Sequence, residues 1–245
     1  MIDDNLNQLT AHSYWLPPDA ATDRPILGAI TGQNSTLIVD AGNSPAHARL
    51  FLGELAKINI APPRFLVLTH WHWDHVFGAS AMDLPILASV ETRHKVLEMA
   101  GLDWSDQALD RRVEEGLEIE FCRDMIKTEL PDRRGLTIRP PDIAFCSPLE
   151  LDLGGITCDI VPVGGDHASD STIVYLREDQ VMFLGDCLCK NIYTAGPGYT
   201  SGKLFPLIDQ LLSYPADFYL EAHTPEPISR QQMVEDTTLL KHSSI

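Results

Sequence analysis

Six consecutive residues, His70-Trp71-His72-Trp73-Asp74-His75, put three imidazoles and a carboxylate into one short stretch. These are the donors that zinc and similar borderline cations accept. On an extended chain, residues two apart face the same way. His70 and His72 can therefore grip one cation, while a turn beyond them offers Asp74 and His75 to a second. A histidine-rich surface loop would crowd these groups beside an apolar run with no structural gain.

Groups of the same kind recur along the chain, each just beyond an apolar run. Asp40 follows Leu-Ile-Val, and His70 follows Phe-Leu-Val-Leu-Thr. His167 follows Ile160-Val161-Pro162-Val163 and a Gly-Gly turn. Asp186 follows Val-Met-Phe-Leu-Gly, and His223 lies just past Phe218-Tyr219-Leu220. In layered α/β folds, sites collect where strands end, because loops leave a rigid sheet there. Residues far apart in sequence can then converge.

The elements that must do this are legible as short, often β-branched runs: 35–39, 64–69, 85–88, 156–163, 171–176, 180–184 and 218–220. Their apolar density predicts strands covered on both faces. Ser44-Pro45 supplies a capping hydroxyl and a proline at the first helical position, opening a helix to about residue 57. Residues 91–130 are charged and amphipathic and predict two or three helices. They form either an insertion or lid over a site, or a plain packing layer, and 131–141, with three arginines, leads out of them. Two more helices are expected at 203–214 and after 229. The whole is an α/β chain with its helices outside the sheets, organised as one domain over residues 1–245 with a helical insertion at about 91–140.

The chain here resembles the metallo-β-lactamase superfamily, whose pattern is H-x-H-x-D-H, then a later His, an Asp or Cys, and a last His. His70-x-His72-x-Asp74-His75, His167, Asp186 and His223 supply it in order, with Asp40 ending an early strand. The stretch from Gly164 to Ser171 is similar to the family's Gly-His-Thr-x-x-Ser turn but carries an extra Asp166. The resemblance covers about residues 28–223. It implies a four-layer αββα sandwich with the site at one edge. It also implies one metal on His70, His72 and His167 and another on Asp74, His75 and His223, with Asp186 bridging and Asp40 orienting a ligand from behind. A bridging carboxylate suits two hard or borderline ions held equally; the imidazole and carboxylate donors make zinc the expected pair, with iron or manganese also compatible. Neighbouring Cys187 would face the other side of an extended strand.

Two such cations activate a bridging water near neutral pH for attack on an ester, thioester, lactone or phosphodiester-type centre, with Asp74 orienting the nucleophile and passing a proton. The substrate expected is a small molecule. Trp71 and Trp73 are candidate pocket walls, Lys190 a candidate partner for a substrate carboxylate, and Tyr193 and Tyr199 candidate oxyanion donors. The stretch 196–204 has the wrong spacing for a phosphate loop, with Leu204 where a hydroxyl is required.

Composition narrows the classes further. Only 18 basic residues face 35 acidic ones, for a net charge of -17. Nucleic-acid partners are disfavoured, and with them a tRNA-processing nuclease. No long apolar run suggests a membrane span. The acidic, polar start lacks the basic and apolar segments of a secretory signal. Five cysteines then read as reduced thiols of a cytoplasmic protein. Two rivals use the same ligands: a mononuclear iron dioxygenase, which needs only three of them, and a non-catalytic metal-binding regulator, which needs no bridged pair.

Overall fold

The computed structural model describes residues 6–193 and 198–243. Gly196 and Pro197 of the stretch rejected above as a phosphate loop lie outside these, as do residues 1–5 of the N-terminal segment. Thirteen strands among the described residues form two sheets. The first holds, in spatial order, β1 (Asn7–Gln8), β2 (Ser13–Leu16), β3 (Leu27–Thr31), β4 (Thr36–Val39), β5 (Pro63–Val67), β6 (Ile86–Ser89) and β7 (Ile143–Phe145). It is antiparallel through β4 and parallel from β4 to β7. The second holds β8 (Leu149–Asp152), β9 (Thr157–Pro162), β10 (Thr172–Leu176), β11 (Val181–Gly185), β12 (Phe218–Glu221) and β13 (Ile228–Ser229), with only the β11–β12 pair parallel. The strands expected from the apolar runs are present, with ends shifted by one or two residues.

Three apolar layers follow from two-residue alternation on strands buried on both faces. Between the sheets, Leu37, Val39 and Val67 meet Ile160, Val174 and Phe183. Gly28 lies here because the Phe183 ring crosses it: a Cβ would come within 2.3 Å of the ring. The opposite side chains of the first sheet, Ile38, Leu66 and Leu68, pack against Phe51 and Leu55 of α1 (Pro45–Leu55). The outer face of the second sheet packs on α6 (Ser201–Ser213) and α7 (Arg230–Ser243). This is the expected αββα sandwich. Ser44 caps α1 as its sequence predicts, accepting from His47 N at 3.0 Å.

A short helix α2 (Trp73–Val76) and a 3₁₀ turn (Phe77–Ala81) follow β5. Between β6 and β7 run α3 (Val90–Ala100), α4 (Asp106–Glu114) and α5 (Glu120–Glu129), the helices foreseen over 91–130. Val96, Met99, Leu109, Cys122 and Ile126 bury into the outer core of the first sheet, while Ile119, Phe121 and Cys122 wall a cleft. No helix among the described residues is long and apolar enough to cross a membrane.

Candidate metal centre

The cleft opens where β4, β5, β9, β11 and β12 end. Asp40 leaves β4 with a left-handed backbone (φ 63°). Its carboxylate then accepts from Thr69 N at 2.8 Å, from Thr69 Oγ1 at 2.9 Å and from His75 Nδ1 at 2.7 Å. The Thr69 hydroxyl proton is spent on Asp40, so His70 Nδ1–H donates to Thr69 Oγ1 at 3.1 Å. His167 Nδ1 likewise lies 3.0 Å from the carbonyl of Lys190. In each ring the outer nitrogen is engaged by a partner behind the cleft, which leaves Nε2 facing the cleft.

His72 is the extended residue that opens α2, and one helical turn then presents Asp74 and His75 to the same space. Asp186 follows Gly185, whose positive φ of 54° and close fit on Thr69 bring the turn against His70. Asp186 Oδ2 lies 3.8, 3.5, 3.3 and 3.5 Å from Nε2 of His70, His75, His167 and His223. Asp74 Oδ2 is 3.2 Å from Nε2 of both His75 and His223. The seven side chains form two groups, His70–His72–His167–Asp186 and Asp74–His75–Asp186–His223. Within each, one donor atom per residue lies within 4.8 Å of the others.

The donor set fits cations. Nε2 of His70, His72, His75 and His167, and Oδ1 of Asp186, are buried with no hydrogen-bond partner. Several orphaned polar atoms aimed at one space are costly unless something coordinates them. Burial, helped by neighbouring rings, pushes His70 well below its usual range and His72 down to about 3, keeping both neutral as ligands must be. Burial opposes charge on His75 and His223 too, but the Asp74, Asp186 and Asp40 carboxylates beside His75 and the Asp186 and Asp74 carboxylates beside His223 outweigh it and raise both. Burial also works against ionised Asp74 and Asp186, yet the histidines hold both well below the ordinary carboxylate range.

The cleft encloses about 740 Å³. Its apolar wall is Ile119, Phe121, Cys122 and Ile192, and Lys190 and Asp23 are charged groups on its lining beyond the cluster. Trp73 lines it while packing on Phe77 at 5.8 Å; Trp71 sits behind, T-shaped to His72 and stacked on Tyr193 at 6.1 Å. Tyr193 and Tyr199 both line the cleft, but their hydroxyl protons are spent: Tyr193 donates to Glu118 Oε1 at 3.2 Å and Tyr199 to the Leu188 carbonyl at 3.0 Å. They act as walls in this arrangement, because a phenol has one proton to give. Asp166, the extra residue of the Gly-Gly turn, accepts from Thr200 N at 2.8 Å and Oγ1 at 2.9 Å, tying the His167 turn to the start of α6.

Sequence reasoning missed Asp23 and the apolar wall. Asp23 is raised to about 6 by burial, reinforced by the nearby Asp74 carboxylate. No pattern around Ala21-Thr22-Asp23-Arg24 announces it, whereas the amphipathic period of α5 could have marked Phe121 as a residue without a core partner.

A family model described as the metallo-beta-lactamase superfamily matches residues 28–223. The linear primary-alkylsulfatase of Pseudomonas sp. (strain ATCC 19151) is 23% identical over 88% of the chain. The chain spans only 44% of that relative's length. Among solved structures, a metallo-beta-lactamase from Pontibacter korlensis superposes with a TM-score of 0.64 at 19% identity, covering 97% of this chain and 98% of the other. A double mutant of the sec-alkyl sulfatase PisA1 superposes with a TM-score of 0.68 at 14% identity, covering 98% of this chain and 41% of the other.

Proposed function

The chain belongs to the metallo-beta-lactamase superfamily, and we propose that it is a dinuclear metal-dependent hydrolase acting on small-molecule esters with an apolar body. One observation carries this reading: a single carboxylate, Asp186, is shared by two complete donor groups at the floor of an apolar-walled cleft. A mononuclear oxygenase needs only the first group, and a simple metal binder needs no shared carboxylate. In this reading His70, His72 and His167 hold one cation, Asp74, His75 and His223 the other, and Asp186 both. Zinc matches the mixed imidazole and carboxylate set, and iron and manganese are also accommodated.

When bound, two such cations supply Lewis acidity, lowering the pKa of a coordinated water from about 15.7 towards 7 and polarising an electrophilic oxygen. The protein's own groups do the rest. Asp74, held ionised by His75 and His223, accepts a proton at its carboxylate from the attacking water and returns it to the departing oxygen. Lys190 has no ion-pair partner among the described residues and attracts an anionic oxygen of the substrate to the cleft rim. Ile119, Phe121 and Ile192 seat the apolar chain and keep water out. The alkylsulfatase relative adds sulfate esters to the carboxylic, thio- and cyclic esters that such a centre can cleave.

The test is a hydrolysis panel across carboxylic ester, thioester, lactone, sulfate ester and phosphodiester bonds, run on metal-free and zinc-loaded protein. Zinc-dependent turnover of at least one ester class is expected. Inactivity of the loaded protein across the panel, or one iron per chain with thiol-dependent oxygen uptake, overturns the reading. The apolar wall makes a second prediction. Phe121 is 52% exposed, so a bound chain has ring surface left to cover. Phe121→Ala should raise KM for an octanoyl ester about tenfold, about 1.4 kcal/mol, and leave the acetyl ester unchanged. Equal KM changes for both would show that the chain does not lie there.

A further inference from the structure

The segment from Asp19 to Arg24 contributes nothing to the seven-residue cluster, yet it is built to reach it. Paired backbone bonds close it, Arg24 N to Asp19 O at 2.9 Å and Asp19 N to Arg24 O at 3.0 Å. Asn43 Nδ2 donates to the Thr22 carbonyl at 2.7 Å. The Arg24 guanidinium grips the buried carboxylate of Glu129 at the end of α5, Nη2 to Oε1 at 2.8 Å. Just past the loop, Ile26 N donates at 2.6 Å to the carbonyl of Ala222, the residue before His223. Loop and His223 therefore share one frame.

Within that frame Asp23 takes a left-handed backbone, φ 57°. This conformation costs a non-glycine residue free energy and persists only where the surroundings impose it. Among the described residues only Asp23, Asp40 and Gln180 do this without being glycine. Two of the three are aspartates that present a carboxylate to the outer nitrogen of a cleft histidine. Asp40 Oδ2 meets His75 Nδ1 at 2.7 Å, and Asp23 Oδ1 faces His223 Nδ1 at 3.6 Å. Turn formation does not account for the Asp23 carboxylate, because it makes no hydrogen bond to its own loop. His223 is also the cleft histidine least held by packing, with its side chain 34% exposed against 0% for His70 and His75 and 6% for His167.

The geometry assigns Asp23 a positioning role towards His223: its carboxylate faces the ring's Nδ1 at 3.6 Å, favours the proton on that nitrogen by charge, and so keeps Nε2 aimed at the space shared with Asp74 and Asp186. This rests on the two-cation reading of the cleft. Groups that orient a ligating histidine through its other nitrogen typically change metal affinity 10–100-fold when removed.

The left-handed backbone selects the variants, since glycine and asparagine tolerate it. Metal-free wild type, Asp23→Gly and Asp23→Asn are titrated with zinc by calorimetry, with the His223 ring nitrogens followed by NMR to tell which equivalent engages that ring. Thermal melts confirm folding. Wild type should bind two equivalents. Asp23→Gly should weaken the equivalent seen at His223 by about 10–100-fold and leave the other unchanged. Asp23→Asn keeps an acceptor oxygen and should fall between. Unchanged affinity for both equivalents in Asp23→Gly, or equal weakening of both, overturns the role. A wild type that takes up only one equivalent, or none, refutes the dinuclear reading itself, and the two failures are thereby distinguished.

Discussion

Asp186→Asn is expected to strip both cations from the cleft in a single substitution and to lower kcat/KM by about a thousandfold or more, about 4 kcal/mol of transition-state stabilisation. Asp186 Oδ2 lies within 3.8 Å of four histidine Nε2 atoms, two from each donor group. An amide there has the same shape but no charge, and its NH2 turns a donor towards atoms that must themselves donate lone pairs to a metal. The loss should exceed that of a single-group change such as His72→Ala, which leaves Asp74, His75, Asp186 and His223 intact. The fold should survive, because the side chain is isosteric and the sheets pack independently of it. Metal content per chain by plasma emission spectrometry, kcat/KM on the best ester of the panel, and a thermal melt decide the matter. An asparagine variant that retains two metals and normal turnover would remove the shared carboxylate from the argument.

The candidate cluster was legible in sequence because its residues sit at the ends of strands that announce themselves. Leu-Ile-Val before Asp40 and Val-Met-Phe-Leu-Gly before Asp186 are buried on both faces, so their apolar runs have no polar interruption. Three of the strands that escaped notice show where that signal fails. β1 has two residues, β3 contains Gly28, where the neighbouring sheet presses close, and β8 alternates Leu and acidic residues at a sheet edge. Side-chain commitments were invisible for a different reason. Whether Tyr193 can serve a substrate depends on Glu118, 75 positions away, and where Asp23 arrives depends on Arg24 meeting Glu129 across 105 positions. Periodicity carries information about which face a residue takes, not about which distant partner claims its proton. Asp166 shows the same limit: as a departure from a familiar turn it had no reading until Thr200 appeared beside it.

Gly78→Ala is expected to destabilise the protein by about 3 kcal/mol or more, lowering Tm by roughly 6–12 °C. Gly78 lies in the 3₁₀ turn after α2, where its N–H donates to the Gly42 carbonyl at 2.9 Å and its Cα presses on the segment that carries Asp40. A Cβ would stand 2.0 Å from the Ala41 carbonyl oxygen and 2.9 Å from that of Ser44. Both obstacles are backbone, so no rotamer change relieves them, and the segments at 40–44 and 72–78 must separate. That separation strains the 2.9 Å bond from Ala41 N to the His75 carbonyl and the 2.7 Å contact from His75 Nδ1 to Asp40, so metal affinity should fall together with stability. Added zinc should recover part of the lost Tm by binding only the folded form. Gly53→Ala is the matched control. It lies on the exposed side of α1 with nothing within 4 Å of a new Cβ, and a helical glycine replaced by alanine should gain about 0.5–1 kcal/mol. Opposite signs for these two substitutions, read in one set of melts, would show that close backbone contact behind the cleft, rather than glycine content as such, holds the donor groups in place. Equal melting of Gly78→Ala and wild type would mean that the two segments do not touch.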